Sequence, residues 1–222
     1  MRYSLPYNLS YCLIDGHAIF LDINSDRYFR LSDALEAEFL AYVSGGEAGH
    51  ACVDALVDRE ILVPDLSMRT RPPALPQPSR SALELEVRAG SARIAAIMQV
   101  FAIVLRTRRR LRNLSLCAVL DDVVRCRERH RSNAVGAEHR ETRALDAAWR
   151  FVRARPYVPF ETSCLLDSIA LASYLAKNGV QANIAFGVTN DPFSAHCWVQ
   201  VGDLVLNDTV GNATAHTPVR VI

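Results

Sequence analysis

The alternation of apolar and polar positions separates an N-terminal segment of strands and helices from a longer segment of helices and strands. Asp15-Gly16 lies between two short apolar runs and is a strong hairpin signal. The turn at 24–26 introduces a third run. The pattern predicts three strands and then two helices: 9–14, 18–23 and 27–31 for the strands, and 32–43 and 48–62 for the helices.

A proline-rich stretch follows and marks a domain boundary. Residues 64–81 hold five of the ten prolines, together with arginine, serine and glutamine. This composition is typical of a stiff, extended linker. The chain therefore divides into a first module over 1–66, a linker over 67–80 and a second domain over 81–222.

The second domain is predicted to be α+β, because its helices come first and its strands last. The clearest helix begins at Cys164, where Thr162 or Ser163 can cap it, and Asn178-Gly179 ends it. The predicted helices cover 81–112, 114–131, 138–153 and 164–177, and the predicted strands cover 180–188, 196–201 and 204–207.

Composition argues against several classes of protein. The net charge of +1 gives no general attraction to nucleic acid or to a membrane surface. Six cysteines without a CxxC pair favour reduced thiols over a disulfide scaffold or a zinc ribbon. The N-terminus lacks a signal-peptide pattern, and the longest apolar stretch, 94–105, is shorter than the about 20 residues of a membrane span. We expect a cytoplasmic protein with no nucleic-acid or membrane partner, no cofactor and no metal.

Three residues in the last third of the chain stand where a thiol hydrolase needs them. Cys164 opens the capped helix, His196 begins an apolar strand, and Asp208 ends the next strand. A helix N-terminus stabilises a thiolate through its dipole and its unpaired N–H groups. A histidine can deprotonate the thiol and then protonate a leaving amine, and an aspartate can hold the imidazole in one tautomer. The trio therefore predicts covalent acyl transfer.

Strand register gives a geometric condition for this triad. A two-residue turn at 202–203 puts Asp208 on the face opposite His196 if the pairing continues regularly. A three-residue loop at 202–204 puts both side chains on one face. The catalytic interpretation therefore predicts a three-residue loop, or a bulge, at this hairpin.

Simpler interpretations of the same residues stay open. A single cysteine is often a small buried hydrophobic residue, and a histidine beside apolar residues is often part of a core. Asp167 fits the favourable place of an acidic residue in the first turn of a helix. The arginines at 106–112 and 125–131 fit solvated helix ends, or a grip on an acidic partner. A metal site formed by Cys164, His196, Cys197 and His216 is a further alternative. The spacing of these residues does not match that of known ligand pairs.

The stretch from Ala148 to Asp208 resembles the transglutaminase-like cysteine protease of lasso peptide biosynthesis, the B protein family. The spacings of 32 residues from Cys164 to His196 (196 − 164) and 12 from His196 to Asp208 (208 − 196) suit that family. The matching pieces are RPYVPF at 155–160, CLLDS at 164–168, LASYLA at 171–176, FGV at 186–188, HCWV at 196–199 and LND at 206–208.

Residues 1–66 resemble the PqqD-like RiPP recognition element, a winged-helix-type module of three strands and then three helices. The resemblance rests on the order of elements and on YFRLS at 28–32. It implies that a leader peptide adds a strand to an exposed sheet edge. The implied leader contacts lie on the third strand and at the end of the flanking helix: Tyr28, Phe29, Arg30, Leu31 and Arg59. An alternative is that the aromatic and apolar members of this set only build the small core.

Together the two resemblances imply a leader peptidase fused to its recognition element. Such an enzyme removes the leader from a ribosomal precursor peptide, and an asparagine synthetase-like cyclase then closes the macrolactam on the freed amine. A tethered recognition module raises the local substrate concentration at the protease cleft. Two alternatives remain: a transglutaminase or acyltransferase that uses the same triad, and a non-catalytic leader-binding scaffold.

Overall fold

The computed structural model describes residues 3–45, 50–64, 75–85, 92–130 and 137–222. The chain forms two compact units, 1–73 and 74–222. Among the described residues, no helix combines the length and apolar character that a membrane span requires.

The first unit is a small sheet covered by helices. In chain order its elements are β1 (Tyr3–Ser4), β2 (Leu9–Ile14), β3 (His17–Asp22), β4 (Arg27–Arg30), α1 (Asp33–Val43), α2 (His50–Asp58) and β5 (Val63–Pro64). The strands β2, β3 and β4 form an antiparallel sheet in that order, and β1 pairs with β5. Asp15 and Gly16 form the predicted tight turn with positive φ at both positions, so Ile14 pairs directly with His17.

An aromatic cluster fills the core of this unit. Phe20 and Phe39 are fully buried, with ring centroids 5.0 Å apart, and Phe29 stacks on Phe20 at 5.3 Å. Glu36 is also buried, and its carboxylate accepts a hydrogen bond from the Ala18 N–H at 2.6 Å. This bond ties α1 to the central strand of the sheet.

The first unit matches the predicted strands closely and differs in its helices. The resemblance implied three helices, whereas the described residues of this unit contain two, α1 and α2. The segment after α2 instead returns as β5 to pair with β1. Ile61 and Leu62 are both buried. A buried apolar pair fits the segment before a strand as well as it fits a helix, so the periodic pattern over 48–62 predicted a second helix that was too long.

The second unit combines a helical layer with a five-stranded sheet. Its elements are β6 (Arg80–Ser81), α3 (Ile94–Asn113), α4 (Leu116–Arg129), α5 (Ala137–Ala154), a short 3₁₀ turn (Arg155–Tyr157), α6 (Cys164–Lys177), β7 (Asn183–Thr189), β8 (Ser194–Val201), β9 (Leu204–Val205), α7 (Val210–Ala215) and β10 (Thr217–Val221). The sheet order is β10-β7-β8-β9-β6, with β6 parallel to β9 and the other neighbours antiparallel.

Helix α6 is the central element of this unit. It packs against α3, α4 and α5 and against β8, and most of its residues are buried, including Leu171, Tyr174 and Leu175. A helix that is apolar on nearly all sides is expected to be enclosed. Its first residue, Cys164, is exposed, so the enclosed helix presents a cysteine at its N-terminal end.

Several elements of this unit differ from the predicted ones. The helix predicted from residue 81 begins at Ile94, because Ser81 belongs to β6 and its hydroxyl donates to the Asp208 carbonyl. Part of the predicted linker packs on the sheet, since Gln200 Nε2 donates to the Pro76 carbonyl at 2.7 Å. The final helix α7 and strand β10 were not predicted, because neither carries a long periodic pattern.

A buried arginine holds the segment that precedes α6. The guanidinium of Arg155 donates from Nε to Asp167 at 2.5 Å and from its other nitrogens to the Val158, Phe160 and Glu161 carbonyls at 3.1 to 3.4 Å. Arg155 is 7% exposed. One cation therefore ties the loop before Cys164 to the first turn of α6.

Removing this cation should destabilise the second unit strongly. We expect Arg155→Leu to lower the free energy of unfolding by about 3 kcal/mol, because the partly buried Asp167 loses its cation and three backbone carbonyls lose their donor. Arg80→Leu is the matched control. Arg80 pairs with Asp203 and Glu141 at an exposed site, so its loss should cost about 1 kcal/mol or less. Urea denaturation of both variants measures the difference, and equal losses would contradict the assigned role of Arg155.

Candidate active site

Cys164 occupies the first position of α6 with a formed cap before it. The Ser163 side chain accepts from the Leu166 N–H at 3.3 Å, and the Ser163 carbonyl accepts from the Asp167 N–H at 2.9 Å. The capping serine predicted from the sequence is therefore in place. Cys164 is exposed, and its sulfur lies at the positive end of the helix dipole.

His196 and Asp208 meet beside this helix end. His196 Nε2 is hydrogen-bonded to Asp208 Oδ2, which leaves Nδ1 as the ring nitrogen for the Cys164 thiol. Asn212, on α7, donates from Nδ2 to the same Asp208 oxygen at 2.8 Å. The Thr209 N–H donates to the other oxygen at 2.8 Å. Both carboxylate oxygens are thus occupied, which fixes the plane of the group.

The electrostatics favour a charged thiolate and a charged imidazole. Hydrogen bonds from Cys197 and His196 lower the pKa of Cys164 to about 4. Hydrogen bonds to Asp208 and Cys164 raise the pKa of His196 to about 9. Burial alone would raise the pKa of Asp208, but its bonds to His196 and Thr209 outweigh burial and hold that pKa below its usual value. At neutral pH the site is therefore a thiolate–imidazolium pair beside a carboxylate.

The predicted three-residue loop at the hairpin is wrong. Val201 pairs with Leu204, so the turn has two residues, Gly202 and Asp203, with Gly202 at a φ of +59°. The regular ladder nevertheless ends after Val205, beyond which the Leu206 N–H still donates to the Val199 carbonyl at 2.8 Å. Regular alternation of side chains between the two faces therefore does not extend to Asp208, so its side chain can lie beside His196 despite the two-residue turn.

Asn207 replaces the missing strand pairing. Its Oδ1 accepts from the Val199 N–H at 2.8 Å, a bond that backbone would make in a continued ladder. Its Nδ2 donates to the Ser168 hydroxyl at 2.9 Å, and Ser168 in turn donates to the Cys197 carbonyl at 3.0 Å. Ser168 is fully buried. The three bonds connect the helix of Cys164, the strand of His196 and the segment of Asp208.

Sequence reasoning missed Ser168, Asn207 and Asn212. Two signals were available in the sequence. Ser168 is a polar residue within an apolar helix, and Asn207 is a polar residue at the end of an apolar strand. Each requires a partner when buried, but the partners lie far away in sequence. Asp167 was interpreted as a dipole residue, whereas the structure pairs it with Arg155.

Aromatic rings enclose the imidazole on two sides. Trp198 stacks near the His196 ring at a centroid distance of 6.2 Å, and the ring of His216 lies 5.1 Å away. Gly187 stands opposite His196 on β7. A Cβ at this glycine would meet Trp198 at 2.8 Å and His216 at 2.9 Å, so the missing side chain makes room for both rings.

The alternative metal site gains no support from the geometry. Within the described residues, no group of three or more His, Cys, Asp or Glu side chains is arranged to hold a metal ion. His216 uses Nδ1 for the Asn212 carbonyl at 2.8 Å. The thiol of Cys197 donates to the Cys164 carbonyl at 3.3 Å.

The residues predicted to contact a leader lie in the first unit. Tyr28, Phe29 and Arg30 are on β4, which is an edge of the β2-β3-β4 sheet as described. Phe29 and Leu31 pack on the core, and Arg30 forms an ion pair with Glu36 at 3.6 Å. Arg59 is exposed and follows the last residue of α2. Three of the five therefore also have structural roles.

Comparison with known proteins agrees with this architecture. The family model described as "Transglutaminase-like superfamily" matches residues 101–221. A 49-residue segment is 41% identical to the microcin J25-processing protein McjB of Escherichia coli, covering 22% of this chain and 24% of that protein. The chain thus spans about a quarter of the length of this relative. No significant match was found among solved structures. Since the family model covers more than half of the chain, and the whole Cys164-His196-Asp208 site, the chain belongs to the transglutaminase-like superfamily.

Proposed function

We propose that this protein is a cysteine protease that removes the leader from a lasso precursor peptide. The observation that carries the proposal is the thiolate–imidazolium pair of Cys164 and His196, backed by Asp208, at the end of a rigid helix. The printed name of the partial relative, a processing protein for microcin J25, supports peptide processing as the context.

The first chemical step is acylation of Cys164. The thiolate attacks the scissile carbonyl carbon, and the N–H of Cys164, which has no partner within the helix at this first position, donates to the developing oxyanion. His196 then gives its proton to the leaving amine. That amine is the new N-terminus of the core peptide.

The second step is hydrolysis of the acyl-enzyme. His196, now neutral, removes a proton from water, which attacks the thioester and releases the leader carboxylate. Asp208 keeps the imidazole in one orientation and stabilises its cation in both steps. Asn212 holds Asp208 through its amide and acts as a positioning residue.

The first unit supplies recognition in this proposal. An edge strand such as β4 can take an added strand from an extended peptide. The leader then holds the core near Cys164 through the tether, which raises its effective concentration. The freed amine passes to an asparagine synthetase-like cyclase, and the two-unit chain acts as a cytoplasmic PqqD-like recognition element fused to a protease.

Replacing the nucleophile separates catalysis from binding. We expect Cys164→Ala to reduce cleavage of the cognate precursor at least about 10³-fold, because acylation needs the thiolate, while leader affinity stays unchanged. Mass spectrometry of the peptide gives the rate and fluorescence anisotropy gives the affinity. Cleavage by the variant would refute the assignment of Cys164.

The products of the wild type distinguish the three candidate functions. Two fragments support hydrolysis, whereas a crosslinked or acylated product would favour a transglutaminase. Leader binding without any product would favour a scaffold.

The pH dependence of kcat/KM should follow the ion pair. We expect a plateau between about pH 4 and about pH 9, because acid protonates Cys164 at its lowered pKa and alkali removes the His196 proton at its raised pKa. Asp208→Asn should lower kcat by roughly 10²-fold or more and should move the alkaline limb to lower pH, since Asp208 is the main cause of the raised pKa of His196.

Asp203→Asn is the matched control for this profile. Asp203 lies in the turn between β8 and β9 and pairs with Arg80 at the surface. Its variant should keep the wild-type profile. An alkaline limb that stays in place in Asp208→Asn would contradict the role given to Asp208.

Leader recognition should depend on the β4 edge. We expect Tyr28→Ala to weaken binding of the isolated leader peptide by about tenfold, since interface aromatic residues often contribute 1 kcal/mol or more. Leu13→Ala is the matched control, because Leu13 is an exposed residue of β2, on the opposite edge of the sheet. Anisotropy titration of a labelled leader tests both variants. Equal weakening by the two substitutions would argue against β4 as the docking edge.

A further inference from the structure

A second thiol lies against the nucleophile and takes no covalent part in the proposed reaction. Cys197 follows His196 on β8 and is 3% exposed. Its Sγ donates to the Cys164 carbonyl at 3.3 Å, and the neighbouring Cys197 thiol lowers the pKa of Cys164. The other cysteines whose side chains the structure describes lie on β2 and α4: Cys12, Cys117 and Cys126.

The two sulfurs differ in the properties that oxidation chemistry needs. Cys164 is exposed and charged at neutral pH, which makes it the sulfur that a peroxide oxidises. Cys197 is enclosed, so an oxidant in solution reaches Cys164 first. An exposed thiolate with a second thiol in contact is the arrangement of a redox pair, with one reacting and one resolving cysteine.

The backbone around the two thiols is already fixed. Ser168, one turn after Cys164 on α6, donates to the Cys197 carbonyl at 3.0 Å. This buried bond holds β8 against the start of α6, so the two cysteines stay on neighbouring elements.

We propose that Cys164 and Cys197 form a peroxide-responsive modification site that closes into a disulfide. In the first step the Cys164 thiolate attacks one peroxide oxygen, an S–O bond forms, the O–O bond breaks, and the released hydroxide takes the imidazolium proton of His196 to become water. Sulfur loses two electrons, and the peroxide gains them. In the second step the Cys197 sulfur attacks the Cys164 sulfenic acid, the S–S bond forms, and the S–O bond breaks. The leaving hydroxide takes the Cys197 proton, so a second water is released.

The first step prepares the second. The hydrogen bond to Cys164 and burial raise the pKa of Cys197 well above its usual value while Cys164 is charged. Sulfenic acid formation removes that negative charge, so the main cause of the raised pKa disappears. His196 stands beside the same sulfur and, once it has given up its own proton in the first step, can pass the Cys197 proton to the leaving hydroxide. Burial still raises the pKa of Cys197 after oxidation, but Cys197 is less opposed to reaction then than before it.

The disulfide blocks the nucleophile reversibly. It competes with further oxidation of the sulfenic acid to sulfinic acid, which thiols do not reverse. A small thiol reductant restores both cysteines. This chemistry concerns the two thiols alone and does not rest on leader cleavage.

Peptide mapping after oxidation tests the proposal. Trypsin places Cys164 in peptide 154–177 and Cys197 in peptide 178–220, each with a single cysteine. The full chain is treated with hydrogen peroxide, blocked with iodoacetamide and digested without reductant. We expect a linked pair of these peptides, lighter by two hydrogens than the sum, that dithiothreitol separates. This measurement uses the wild-type chain and so does not depend on a variant that folds.

Two variants supply the comparison. Cys197→Ala should accumulate sulfenic acid that dimedone traps, and its sulfinic acid at Cys164 should exceed the wild-type amount by at least about tenfold. The control Cys126→Ala, on α4, should form the linked pair as the wild type does. The proposal fails if the wild type reaches sulfinic acid at the rate of Cys197→Ala without the linked pair. It also fails if Cys164 is found linked to a second chain instead.

Discussion

The hydrogen bonds between α6 and β8 are the constraint on which the rest of the site depends. Ser168 is buried without access to water, and its hydroxyl both donates to the Cys197 carbonyl and accepts from Asn207. A buried hydroxyl that loses such partners costs free energy, so the bonds favour one spacing between helix and strand. Cys164 and His196 lie on these two elements, so the same hydrogen bonds also set the distance between them.

Much of this arrangement followed from the sequence, and the failures have physical causes. The cap at Ser163, the start of α6 at Cys164 and the turn at Asp15-Gly16 are local features, and local residue chemistry predicts them well. The hairpin at 202–203 was predicted with the wrong loop length because strand parity was assumed to continue. Asn207 ends that parity by giving its side chain to a backbone N–H.

The contacts that sequence reasoning could not find are those between distant residues. Arg155 and Asp167 are only twelve positions apart, yet an arginine in a proline-rich turn gave no sign that it would be buried. Gln200 can be fully buried because its side-chain amide donates to the Pro76 and Gly202 carbonyls. Polar residues such as these become interpretable only when the fold supplies their partners.

The enclosure of His196 has a consequence for how protons move. Trp198 and His216 lie close to the imidazole ring, and Asp208 binds its Nε2. A ring held in this way is hindered from turning over, so its two nitrogens keep separate duties through every turnover. In the proposed reaction, each proton then enters and leaves on the sulfur side of the ring. The imidazole would act as a one-sided relay, used first by the departing amine and then by water.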